Sequence, residues 1–392
     1  METPGKNTLD AFYLLRCAVL GKTPCADTVG QMDLNAVYSI CSAHDVAALA
    51  AYALEKTWKA GGAVSDDIKK LWSVKKSNAL RRGIMFSSER KKISSELEKR
   101  GIPYVFLKGS VIQSYYPAFG LREMADIDIL FSGKREEELL GMMTELGYSS
   151  KEYGRHHHDT FSKPPVFNVE LHRELFETVN KDFYDYYENV FDRLSPAAPG
   201  SCEMVFGKED FYIFIIAHAA KHILVSGSGL RCLTDIFLYT SKEQLDRGYI
   251  NAELEKLGIL DLGSALYRIS YAVLEKDSPP VTPELSENDM ELLMYLVSSG
   301  TYGTYEHMLE NRFRSSNAGS KKSSAGKKLR YIAYRLHPSP SVVKQSYPFF
   351  YRHKLARPFL IFFRAGTAVG SKRNKVKTEL KTLRKMTEQK DR

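Results

Sequence analysis

The chain has 392 residues, 43% hydrophobic and 26% charged, which supplies a substantial core in two or three lobes and excludes wholesale disorder. Its five cysteines (Cys17, Cys25, Cys41, Cys202, Cys232) are scattered and contain no C-x-x-C pair, which argues against a zinc framework and for a reducing, cytoplasmic compartment. No apolar stretch reaches the roughly 18 residues of a membrane span, and the tail 371–392 contributes +6 of the formal net charge of +9, so the body is nearly neutral.

Residues 8–95 place apolar side chains near a 3.6-residue period, as in AHDVAALAAYALEKTWKA and SSERKKISSELEKR, and predict a helical lobe over 1–95. A helix ending at Arg100-Gly101 leads into Ile102 to Leu107, a short apolar run suited to a buried strand. A helix over SVIQSYYPAFG, an alternating strand from Asp126 to Phe131, a helix from Arg135 to Leu146 and a strand from Phe167 to Leu171 complete an α/β core over 96–200. Helical, glycine-poor periodicity between Asp210 and Ser298 predicts a bundle over 201–311 that walls a cleft. The Ser-, Gly- and Lys-rich run RFRSSNAGSKKSSAGKKL predicts a mobile basic loop over 312–330, followed by an aromatic and basic helical segment over 331–392. No repeat of 20 to 50 residues is present, which excludes a solenoid.

Three pieces carry the chemistry. Strand residues two apart share a face, so Asp126 and Asp128 point one way while Ile127 and Ile129 point into apolar packing. The same parity in Val169-Glu170-Leu171-His172 lets Glu170 join them from a neighbouring strand, with His172 beside it. Like charges this close need a cation, and carboxylate oxygens suit hard Mg²⁺; three carboxylates can hold two such ions, the arrangement used for displacement at a nucleotide phosphorus. Upstream, Lys108-Gly109-Ser110 lies between strand and helix, where a residue without Cβ lets phosphates approach backbone N–H groups and Ser110 can donate to one.

The LKG, R-x-x-x-DIDIL and VELH segments resemble an uncharacterised nucleotidyltransferase family of the DNA polymerase β-like superfamily. His218-Ala219-Ala220-Lys221-His222, followed by Leu230-Arg231 and Asp235, is similar to that family's helical H-x-x-KH…LR…D signature, and the resemblance covers most of residues 10–365. It implies an α+β fold: a small mixed β-sheet nucleotidyltransferase core flanked by N-terminal and C-terminal helical lobes. It also implies Asp126 and Asp128 as paired metal ligands, Glu170 as third carboxylate or general base on an acceptor hydroxyl, and Gly109 and Ser110 as the glycine-serine motif. Mg²⁺-dependent transfer of a nucleoside monophosphate from a nucleoside triphosphate to a small-molecule or protein hydroxyl is the activity expected.

Other charged residues keep two readings each. Arg122 contacts a triphosphate or pairs with one of the nearby acids; Lys221 or Arg231 contacts phosphate or acceptor with Asp235 as ion-pair partner, or all three form a structural network. His218 and His222 have zinc-like i, i+4 spacing but lack a third ligand. Arg155 to Asp159, with its three histidines, reads as a solvated loop because consecutive residues do not all face one ion. The aromatic runs Tyr347–Tyr351 and Pro358–Phe363 read as core rather than as surfaces for a membrane or for bases. The rival to an enzyme is a catalytically idle scaffold that binds nucleic acid or a membrane surface through the basic tail; RNA as acceptor is a third reading.

Overall fold

The structure is a computed structural model, described here for residues 2–150, 153, 154, 157–276, 278–317, 324–338, 340, 342, 343, 347–369, 378, 379, 381, 382 and 384. It divides into two compact units, one of residues 1–220 with 228–301 and one of residues 221–227 with 302–392. The helical lobe, the α/β core and nearly all of the bundle expected from sequence fall within the first.

That unit begins with helices Lys6–Val19, Ala26–Gly30, Leu34–Ala43, Ala47–Lys59 and Asp66–Lys99. The Ala-rich run Ala47 to Ala51 is buried throughout, and its small side chains let neighbouring helices approach closely. The last and longest helix ends where Gly101 adopts φ +61°, allowing Ile102 N–H to reach the Leu97 carbonyl at 3.0 Å; this is a glycine-dependent terminus that satisfies a helix-end acceptor.

Strands β1 (Tyr104–Phe106), β2 (Ile127–Phe131), β3 (His158–Lys163) and β4 (Phe167–His172) form a mixed sheet in the order β1-β2-β4-β3. Only the β2–β4 pairing is parallel. Alternation gives the sheet one apolar face: Ile127, Ile129, Phe131, Phe161, Val169 and Leu171 pack with Phe86, Ile93 and Leu97 of the long helix and with Leu139, Met142 and Met143 of helix Glu136–Glu145. The other face is left for polar groups. A second sheet joins β5 (Ser195–Pro196) to β6 (Met204–Val205).

Helices Lys208–Val225, Arg231–Thr240, Arg247–Lys256, Leu260–Leu274 and Glu287–Ser299 follow, and no helix among the described residues is long and apolar enough to cross a membrane. Arg16, buried in the first helix, donates to the Val273 carbonyl at 2.9 Å and so ties the two ends of this unit together.

Three local expectations change. The helix expected over 110–120 lasts only from Gly109 to Ile112, with a 3-10 turn through Tyr115, since Pro117 and Gly120 interrupt it. Helices Tyr305–Ser316 and Ser324–Leu336 occupy both ends of the run read as a loop, while 318–323 lie outside the described residues. Phe349, Phe359, Phe362 and Phe363 are exposed rather than core; among the described residues of helix Leu360–Val369, Leu360 is the buried one.

Buried His44 links three segments of the first unit. Its Nδ1 accepts the Leu230 N–H at 3.1 Å, so the proton sits on Nε2, 3.1 Å from the Val297 carbonyl. Burial pushes this imidazole down to about 4, although the Val297 carbonyl opposes the shift. The unfolded chain takes the proton near the ordinary histidine value of 6.5, whereas the folded chain refuses it until about pH 4. Stability is therefore complete above pH 6.5 and falls as the pH drops through that window, by on the order of 3 kcal/mol at its foot. Urea unfolding across the window should show this loss in the wild type, and a His44→Gln variant should show a flatter profile.

Candidate active site

The turn after β1 sets the site's upper edge. Lys108 takes φ +23° and ψ −92°, one of two positive-φ non-glycine residues among those described, and strain of this kind persists only where surroundings enforce it. Its ammonium hydrogen-bonds His218 Nε2 and lies 3.6 Å from Asp128 Oδ2. At Gly109 a Cβ would meet Arg122 Nη1 at 2.6 Å and Met124 Sδ at 3.2 Å, so a larger residue would have to displace Arg122. Arg90, on the long helix, stacks its guanidinium 4.1 Å from the Phe106 ring centroid and donates to the Ser110 carbonyl at 2.8 Å. The Ser110 hydroxyl is buried without a hydrogen-bond partner.

Parallel register puts Asp128 directly beside Glu170 and Leu130 beside His172. Asp126 stands one residue before β2. His172 Nε2 lies 3.2 Å from Asp128 Oδ1 and 3.5 Å from Glu170 Oε2, and the donor atoms of Asp128, Glu170 and His172 all fall within 4.8 Å of one another. Asp126 is outside that set but not outside its field: burial, then the like charge of Asp128, pushes its carboxyl up to about 6. Burial also raises Asp128, but Lys108 and His172 outweigh it and hold that carboxyl well below the usual range. Glu170 is similarly raised by burial and lowered more by His172. Burial lowers the His172 imidazole, and its two carboxylate partners more than restore it.

The charged residues from the helical signature separate. Arg122 makes a two-point pair with Asp235, Nε to Oδ1 at 2.9 Å and Nη2 to Oδ2 at 2.7 Å, and Tyr116 donates to Asp235 Oδ1 at 2.8 Å. Asp235 therefore partners Arg122, not Lys221 or Arg231, and Arg122 pairs across 113 residues rather than with its neighbours in β2. Arg231 instead bonds the Glu123 carbonyl at 2.9 Å and Asp45 at 3.1 Å, and its charge lowers Asp126. His218 belongs to the first unit; Lys221 and His222, in the last turns of helix Lys208–Val225, belong to the second.

The histidine run contains residues that the sequence reading set aside. Arg155 and His156 lie outside the described residues. His158 opens β3 and pairs in register with His172, while His157 precedes the strand and escapes its two-residue alternation. Both rings therefore approach His172, with centroids 5.9 Å and 5.0 Å away for His157 and His158 respectively. The signal available was the run itself; β3, with its polar HDTFSK sequence, gave no clear strand pattern.

A small mixed sheet, helical flanks and carboxylates grouped at paired strands after a glycine-serine turn define a nucleotidyltransferase-type core. Residues 30–270 match the profile of a family described as uncharacterised nucleotidyltransferase, and the chain belongs to that family. Neither a curated protein nor a solved structure matches it.

The Arg122–Asp235 pair is buried on both sides. Asp235→Leu strands a buried guanidinium and should cost about 3–5 kcal/mol, read as a lower urea midpoint. The combined Arg122→Met, Asp235→Leu variant should recover most of that loss; no change in the single variant would contradict a structural role for the pair.

Proposed function

We propose that the protein binds a nucleoside triphosphate with Mg²⁺ and transfers the nucleoside monophosphate to a hydroxyl of a small-molecule or protein acceptor, releasing pyrophosphate. The observation that supports this most is the side-by-side register of Asp128 and Glu170, with Asp126 at the strand entry, in a member of a nucleotidyltransferase family. Their oxygens suit a hard cation, and the burial and like charge that raise Asp126 are what such a cation offsets. Mg²⁺ held by Asp126, Asp128 and Glu170 would neutralise phosphate charge and stabilise the departing pyrophosphate.

The chain's own groups supply the rest. Gly109 lets Arg122 pack against the turn, Ser110 offers an unengaged hydroxyl, and Lys108 and Arg231 bring positive charge for the phosphates. Arg122, committed to Asp235 and packed against Gly109, acts by shaping the turn. Glu170 is a metal ligand or the general base on the acceptor, with His172 orienting it.

Calorimetric titration of ATP, GTP, CTP and UTP, with and without Mg²⁺, tests the reading. One nucleotide should bind only with Mg²⁺, and the Asp126→Asn, Asp128→Asn variant should lose that binding and all turnover while keeping its circular dichroism spectrum. Unchanged turnover in the double variant would sink the assignment.

A second reading concerns the C-terminal segment and does not require an idle core. No Asp or Glu occurs between Glu310 and Glu379, and within that stretch Leu355 is 94% and Phe362 74% exposed. Exposed apolar side chains among Lys and Arg fit an anionic lipid surface, where each basic residue contributes about 1 kcal/mol. In flotation assays the protein should follow anionic but not neutral vesicles, and Phe359→Ser with Phe362→Ser should abolish this. Binding to RNA but not to vesicles would favour nucleic acid instead.

A further inference from the structure

We propose that His157, His158 and His172 form a nitrogen-donor site for a divalent transition cation of the zinc class, bordered by two of the carboxylates proposed to hold Mg²⁺. One donor atom from each ring lies within 4.8 Å of the other two. His157 Nε2 and His158 Nδ1 face each other at 3.1 Å, near the roughly 3.3 Å edge of a tetrahedron built on zinc–imidazole bonds. His172 supplies the third donor, and its Nδ1 is buried without a hydrogen-bond partner on a residue only 8% exposed. Leaving such a nitrogen unsatisfied is unfavourable, and a bound cation removes that penalty.

The outer nitrogens make the assignment specific. Once His157 Nε2, His158 Nδ1 and His172 Nδ1 are given to the cation, each ring's other nitrogen faces a carboxylate. His157 Nδ1 lies 3.1 Å from Glu177 Oε1, without the angle for a hydrogen bond. His158 Nε2 lies 3.6 Å from Glu170 Oε2, and His172 Nε2 3.2 Å from Asp128 Oδ1. Metal-bound histidines are oriented in this way, by carboxylates behind the ring. Two of the three positions are fixed by backbone pairing, because His158 and His172 are register partners on β3 and β4. Three imidazoles select zinc, cobalt, nickel or copper over magnesium. Asp128 and Glu170 lie behind these rings, so occupancy fixes two of the carboxylates proposed to hold Mg²⁺.

Tag-free full-length protein titrated with Co²⁺, the spectroscopic stand-in for Zn²⁺, provides the test. One equivalent should bind with the intense visible bands of a four-coordinate nitrogen-rich site, yield to Zn²⁺ and resist a large excess of Mg²⁺. The His157→Gln, His158→Gln variant should bind at least about a hundredfold more weakly, while Asp126→Asn keeps the site even where it abolishes nucleotide binding. Absence of stoichiometric Co²⁺ and Zn²⁺ uptake by the wild type, or uptake unchanged in the histidine variant, overturns the proposal. Should that variant misfold, X-ray absorption of the wild-type cobalt complex decides: imidazole scattering supports the site, and an all-oxygen shell overturns it.

Discussion

Pairing β2 with β4 in parallel sets two half-buried carboxylates, Asp128 and Glu170, next to each other, and their mutual repulsion is the constraint that the surrounding residues answer. Lys108 reaches Asp128 from a turn held in an unfavourable backbone conformation. His172 reaches both acids from the strand that carries Glu170. With Lys108 and His172 engaged by Asp128 and Glu170, half-buried Asp126 is left with the poorest compensation, which is why its carboxyl rises while the other two fall. The three acids are chemically unequal before any ligand arrives.

The turn that delivers Lys108 is itself held from two sides. Arg90 grips the Ser110 carbonyl from the long helix, and Arg122, clamped by Asp235, fills the space where a Gly109 side chain would stand. Neither arginine touches the carboxylate pair. Their part is to hold a strained peptide at the edge of the sheet, where relaxation would carry Lys108 away from Asp128. The loop leading to Asp126 is secured in the same manner: Glu123 accepts the Ala48 N–H at 2.9 Å at the start of one helix, and its carbonyl receives Arg231 from another.

The period-2 pattern of DIDIL and VELH made β2, β4 and their shared polar face legible in sequence, because parity follows from backbone geometry alone. The helical periodicity likewise marked residues 8–95 and Asp210 to Ser298 as helical, but not that Asp66–Lys99 is one helix crossing the boundary expected at 95. What escaped was whatever depended on distant pairing. Arg122 had acids four and six residues away and uses one 113 residues away, a choice fixed by the packing of helix Arg231–Thr240 and invisible to local spacing. Strand β3 contains a single large apolar residue, Phe161, so its pairing with β4 rather than its own pattern makes it a strand. His157 and His158 went unrecognised with it, since only that pairing brings them to His172.

Helix Asp66–Lys99 extends about 50 Å at 1.5 Å per residue. Near its start it buries Trp72 against Tyr38 of the N-terminal helices, and near its end it buries Phe86, Ile93 and Leu97 under the sheet. One uninterrupted rod is thus shared by two regions that composition would separate near residue 95. A cut near residue 95 would therefore leave neither side with a complete core, and the N-terminal helices and the sheet are held together by the same helix.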